Sequence, residues 1–165
     1  MDLRSAAKSF LYGNRTIALL RMLLGAMFLY SGYFKVLDFA SFARTIDLYG
    51  LVPGVVIPFA ALTIPVLELI LGLFLVTGYQ VRPASFISLL MMLVFSAAIS
   101  INLARGKTFD CGCFELGRFG ISEDISYRLV LRDLAMAVVF YLVFNAKRHF
   151  YSLENLIEKR RLRHV

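Results

Sequence analysis

The sequence predicts an all-α integral membrane protein, a transmembrane four-helix bundle with short amphipathic helices in the first outer loop and the C-terminal tail. Three observations carry this expectation. The 165 residues are 59% hydrophobic and only 18% charged, against about 45–50% and about 25% in soluble domains. The mean hydropathy is +0.74. The apolar surplus falls in blocks of about 20 residues, the length that crosses a bilayer core.

The blocks place the spans at about 16–36, 55–78, 83–104 and 128–146. At 1.5 Å per residue each reaches across roughly 30 Å of hydrocarbon. Residues 1–148 then form one transmembrane domain, and 149–165 form a basic amphipathic tail. The first block contains Arg21, and "LYSGYFK" offers no small-residue cleavage site. It is therefore expected to stay in the protein as a span rather than leave as a signal peptide.

Between the first two spans, Phe39, Phe42, Ile46 and Tyr49 recur at helical spacing, with Asp38, Arg44 and Asp47 between them. This is the pattern of a short amphipathic helix lying in the interface. "GLVPG" supplies the turn that ends it. Pro58 and Pro65 fall within the second span and predict a kink there. Ser122 or Asp124 is expected to cap the start of the fourth span. After it, Phe150, Leu153, Leu156 and Ile157 make one stripe of a surface helix.

The net charge of +7 is unevenly spread. Arg4, Lys8, Arg15, Arg82, Lys147, Arg148, Lys159, Arg160, Arg161 and Arg163 fall on one side of the predicted topology. Lys35, Arg44, Arg105, Lys107 and Arg118 fall on the other, among six acids. The basic excess places both termini in the cytoplasm and the first and third loops outside. The expected setting is the inner, cytoplasmic membrane of the cell. The partner of "KRRLRHV" is then the anionic lipid surface, not nucleic acid.

Charges inside spans need partners, since each costs about 2.5–3.5 kcal/mol on insertion scales. Arg21 in the first span and Glu68 in the second are expected to form an intramembrane pair. Lys35, Arg105, Arg132 and Asp133 are expected to gather beneath the third loop. With Tyr33, and with Tyr30 and Ser31 nearby, they make a candidate site for a quinone ring, a headgroup or a proton path. A purely structural role, holding helices in register, is the alternative.

The third loop carries "DCGCF", with the only two cysteines, Cys111 and Cys113. A thiol and its neighbour suit disulfide exchange, in which one thiolate attacks and the other resolves. Gly112 admits backbone angles closed to other residues. Arg105, Lys107 and Arg118 raise the thiolate fraction, while Asp110 is placed as a proton acceptor. A metal is not expected, because Asp110, Cys111 and Cys113 fall short of four ligands and both histidines lie across the membrane. A purely structural disulfide would close almost no loop and add little stability.

These segments resemble the MauE/DoxX-like family of small four-helix membrane proteins. The likeness runs through "RMLLGAMFLYSGYFKVLDF", "LVPG", "PVLELILGLFLVTGYQVR", "RGKTFDCGCFELG" and "LRDLAM", and the Asp-Cys-Gly-Cys-Phe loop is its specific part. Glu115 stands where the family pattern has glycine. The resemblance implies a thiol–disulfide or electron-transfer accessory at the membrane, linked to maturation of a disulfide-rich dehydrogenase subunit, to thioredoxin-like partners or to quinone. The architecture is also similar to quinone-linked disulfide oxidases.

The function expected is a membrane thiol–disulfide oxidoreductase. Cys111 and Cys113 exchange with an extracytoplasmic thioredoxin-like partner or thiol client, and quinone is the candidate cofactor near Lys35, Arg105, Arg132, Asp133 and Tyr33. The alternative is a non-enzymatic scaffold or small-molecule carrier in which Cys-Gly-Cys only shapes the loop. A homo-oligomer is compatible with either.

Overall fold

The computed structural model describes residues 14–107, 109 and 125–146. Five α-helices occur among them: α1 (Asn14–Leu37), α2 (Phe39–Tyr49), α3 (Ile57–Thr77), α4 (Val81–Ala104) and α5 (Tyr127–Asn145). A short 3₁₀ turn, Gly54–Val56, leads into α3. The expected all-α bundle is what forms. The tail, the cysteines, Asp110 and the capping candidates Ser122 and Asp124 lie outside the described residues. The described N-cap of α5 is Ser126.

Three helical stretches among the described residues are long and apolar enough to cross a membrane: Thr16–Leu37, Gly54–Thr77 and Val81–Ala104. The fourth expected span corresponds to α5, which is not among these three. That helix has 19 residues, but Arg128, Arg132 and Asp133 occupy its first two turns. It completes the bundle by packing on α4 and α1.

Helices α1 and α3 pack closely because glycine faces glycine. A Cβ on Gly25 would sit 2.9 Å from the Gly72 carbonyl oxygen, and one on Gly72 would sit 2.8 Å from that of Gly25. Gly32 repeats the contact two turns along, where a Cβ would meet Pro65 O at 2.8 Å and Glu68 Cβ at 3.1 Å. Small residues at such crossings let backbones approach in a lipid-embedded bundle, where no water drives the helices together. Pro58 lies in the first turn of α3, where a missing N–H matters least. Pro65 lies inside the helix, which is continuous from Ile57 to Thr77.

Helices α4 and α5 form the other close pair. Phe86 meets Phe144 at 5.7 Å, and Phe28 of α1 meets Phe140 edge-on at 5.3 Å. The core runs through Leu24, Phe28, Leu71, Leu75, Met92, Ile99, Leu129 and Phe140. Bulky apolar side chains such as Leu19, Phe59, Val94 and Val138 point outward, as lipid-facing positions do.

Helix α2 follows α1 after Asp38 alone. The Asp38 carboxylate accepts the Ser41 N–H at 3.2 Å, and Gly50 ends the helix at φ 59°. These two signals account for an 11-residue helix, Phe39–Tyr49, where the sequence predicts one. Its buried residues are Phe42 and Tyr49, while Phe39 is 40% exposed. The buried face is therefore narrower than the predicted stripe. It packs against α3 and covers that end of the bundle.

If the glycine crossing sets the α1–α3 spacing, Gly72→Val should lower the unfolding free energy by about 1–3 kcal/mol, the usual overpacking range. Gly54→Ala should be neutral, since nothing lies within 4 Å of a Cβ there. Denaturant titration of helical ellipticity in detergent checks both.

Candidate functional site

The end of the bundle under α2 holds a layer of buried charge. Glu68 accepts from Lys35 Nζ at 2.6 Å through Oε1 and from the Ser31 hydroxyl at 3.1 Å through Oε2. The side chains of Lys35 and Glu68 are 0% and 3% exposed. Gly32 sits between Ser31 and Lys35 on the turn facing Glu68, and its close approach brings both donors within reach.

The sequence pairs Glu68 with Arg21, and the helix register excludes that pairing. Gly25 faces Gly72 and Gly32 faces Pro65, so antiparallel helices bring Arg21 level with Val76. That is eight residues, about 12 Å, from Glu68. Arg21 is wholly buried nearer the opposite end of the bundle.

Lys35 stands only two residues before the end of α1. The sequence places it at the outer end of the first span, beneath the third loop, and in the structure it is 0% exposed. The reason is α2, which folds over the helix end. Phe42 brings its ring centroid to 5.0 Å from Lys35 Nζ, and Phe95 of α4 approaches to 5.6 Å. Both distances fall in the cation–π range. The ammonium is thus enclosed by one carboxylate and two aromatic rings.

The Phe28–Phe140 contact sets the register of α1 against α5. Seven residues outward on α1 is Lys35, and seven residues back on α5 is Asp133, so the two lie at the same depth. Asp133 is 1% exposed and accepts from Arg132 Nε at 3.2 Å and Nη2 at 3.1 Å. The Arg132 side chain is 24% exposed and reaches the rim. Two cations and two anions therefore share one level of the bundle.

The five residues expected to surround a quinone do not converge. Lys35 and Asp133 are buried and Arg132 borders them. Arg105 is exposed at the end of α4. Tyr33 is 55% exposed, on the outside of α1, with its ring edge-on to Phe34. The sequence reading passes over Phe95 and Asn102. Asn102 is wholly buried and donates to Ala98 O at 3.1 Å, and its Oδ1 has no hydrogen-bond partner among the described residues. A carboxamide near the end of an apolar run is the available signal.

Above this layer stands the stem of the cysteine loop. Helix α4 ends in a Schellman turn, with Lys107 N–H on Asn102 O at 3.1 Å, Gly106 N–H on Leu103 O at 3.0 Å, and Gly106 at φ 68°. The turn aims Lys107 and Phe109 across the bundle end onto α2. Lys107 Nζ donates to Leu48 O at 2.9 Å, a carbonyl in the negative last turn of that helix. It also lies 3.2 Å from where a Cβ on Gly50 would be, so any side chain there meets the ammonium as well as the strained φ. Phe109 meets Tyr49 edge-on at 5.0 Å. The Ile125 N–H donates to Phe109 O at 2.9 Å and closes the stem. Cys111 follows Phe109 by two residues, so chain length alone holds their Cα atoms within about 8 Å.

A sequence model of the family described as "Methylamine utilisation protein MauE" matches residues 13–145. A Paracoccus denitrificans protein named methylamine utilization protein MauE is 31% identical over 131 residues, covering 79% of this chain and 69% of the relative. A protein of the same name from Methylorubrum extorquens is 39% identical over 85 residues, 51% of this chain and 44% of its own length. No solved structure matches.

Leaving one buried charge alone typically costs about 3–5 kcal/mol, while replacing both partners with apolar residues is often neutral. Lys35→Met and Glu68→Leu should each destabilise the bundle by that amount, and the double variant should regain most of it. A double-mutant cycle by denaturant titration in detergent measures the coupling.

Proposed function

Because the chain belongs to the MauE family of methylamine utilisation proteins, we propose that it is a membrane accessory that exchanges thiols and disulfides through Cys111 and Cys113. The observation that carries the reading is the pinned stem. Phe109 and Ile125 are joined by a backbone hydrogen bond, and Lys107 and Phe109 are docked on α2. That anchoring supports a dithiol presented at a defined place on a membrane surface, where a soluble partner can reach it.

In the exchange, a thiolate of the client attacks one sulfur of the Cys111–Cys113 disulfide. The bond between the two cysteines breaks and the other leaves as a thiolate. A second client thiol resolves the mixed disulfide, so the client is oxidised by two electrons and the membrane pair is reduced. Reoxidation passes two electrons and two protons to an acceptor, for which a quinone is the proposed class. The reverse direction uses the same bonds.

The topology proposed places both termini in the cytoplasm, because the basic residues concentrate in the termini and the Arg82 turn. Cys111 and Cys113 then face the compartment in which disulfides persist. The partner proposed is an extracytoplasmic thioredoxin-like protein or a thiol-bearing client.

Replacing both cysteines with serine should abolish function in the native host. A single Cys113→Ser or Cys111→Ser variant should accumulate a mixed disulfide visible on a non-reducing gel. Full activity of the double variant would exclude the redox reading and leave the scaffold alternative. Labelling with a membrane-impermeant maleimide in whole cells tests the sidedness.

A further inference from the structure

We propose that Arg21, Ser85 and Ser88 form a binding site for a small inorganic anion of the chloride class, at the end of the bundle away from α2. The inference is independent of the cysteine loop and of the redox reading.

The hydrophobic core comes in two clusters. One holds Leu24, Phe28, Met92 and Phe140, and the other holds Ile17, Val81, Val143 and Ala146. Val139 packs against both. On α1, Arg21 stands between Ile17 of one cluster and Leu24 of the other. On α4, Ser85 and Ser88 stand between Val81 and Met92 in the same way. All three polar residues are 0% exposed. The core is therefore interrupted by a buried polar layer.

The helix register makes this one layer. The glycine contacts set α1 antiparallel to α3, and α4 turns back from α3 within three residues. Helices α1 and α4 are thus parallel. Ile17 and Val81 share a cluster, so Arg21 and Ser85, each four residues on, lie at one level. Ser88 lies about 4.5 Å further along. The approach of Phe95 to Lys35 at the other end follows the same parallel course.

The serine hydroxyls point to a ligand. A hydroxyl on a helix commonly turns back onto the carbonyl one turn earlier. Ser100 does so onto Ser96 O at 2.7 Å, and Thr77 onto Leu73 O at 2.7 Å. The Oγ atoms of Ser85 and Ser88 have no hydrogen-bond partner among the described residues. Leaving a buried hydroxyl unmatched is costly, and here two lie beside one another. They do not accept from Arg21 either, so a group that joins the layer must accept from both sides. A guanidinium offers five N–H donors and no acceptor, and each serine adds an O–H. A set of converging donors around a positive charge selects an anion. Apolar clusters close the layer above and below, which favours a small ion that sheds its water over a headgroup carrying acyl chains.

The test uses the full-length protein in detergent. Urea unfolding is followed in sodium chloride and in sodium gluconate at matched ionic strength, and binding of radiolabelled chloride is counted directly. For the wild type, a tenfold rise in chloride above its dissociation constant should lower the unfolded-to-folded ratio about tenfold. Bromide should displace the label, and gluconate, too large for the layer, should not. Ser85→Ala and Ser88→Ala should each weaken chloride binding about tenfold or more, the effect of one hydrogen bond to a charged group. The double variant should lose the chloride dependence, while Ser100→Ala, on the exposed face of α4, should match the wild type. If the double variant fails to fold, the single variants decide. A wild type that neither binds the label nor responds to chloride overturns the proposal. So does a folded double variant that binds chloride unchanged, which puts the ion elsewhere. Displacement of the label by gluconate as readily as by bromide overturns the enclosed site.

Discussion

A lysine and a glutamate shut away from solvent impose more on this bundle than any other contact. Neither charge is tolerable alone in an apolar interior, so the fold must bring them together and keep them together. Several features follow from that requirement. The glycine face of α1 lets α3 approach until Glu68 lies under Ser31 and Lys35. The corner at Asp38 turns the chain back, so that Phe42 covers the lysine from above. Phe95 of α4 closes the remaining side. Four helices thus contribute to one enclosure, which gives the bundle a single register at this end.

The same enclosure explains why α2 is an element of the fold rather than a linker lying on lipid. An amphipathic helix of this length is marginal by itself. It is held here by a capping aspartate, by two buried aromatic rings and by a lysine that reaches its last turn from the far side of the bundle. The loop stem and the ion pair share this helix as their common support. The two conspicuous features of the sequence are the charges in the spans and the cysteines in the loop. They are connected through a part of the chain that looks incidental until it is folded.

The helices are legible in the sequence because their signals are local. Apolar runs set α1, α3 and α4, and Asp38 with Gly50 brackets α2. The limits of legibility show at Lys35 and α5. Lys35 is expected near the outer end of its span, in a cavity beneath the third loop, because position along a span is read as depth. Its burial depends on a helix folding back over it, a tertiary fact that no local pattern carries. The Arg21–Glu68 pairing fails for a related reason. Two charges at plausible depths match only if the slide of α1 past α3 is known, and the glycine contacts set that offset two turns away. The fourth block reads as a span by its length, while Arg128, Arg132 and Asp133 make the first turns of α5 polar and set it apart from the other three. Asn102 escapes although its type stands out, because charge draws attention before amides do.

The stem geometry also bears on the choice between a chemical and a structural role for Cys-Gly-Cys. A structural disulfide stabilises by closing a loop that would otherwise be open, and its contribution grows with the length it closes. Here the loop is already closed at its base, by the Ile125–Phe109 backbone bond, the Tyr49–Phe109 ring contact and the Lys107–Leu48 bond. A bond between residues separated by one glycine would restrain only the few atoms between them. The support of the loop at its base does not depend on it. Two cysteines one residue apart in the sequence are what the proposed exchange calls for, one thiol to attack and a second to resolve. A stem closed without the sulfurs is compatible with the proposed exchange and leaves little for a structural disulfide to add.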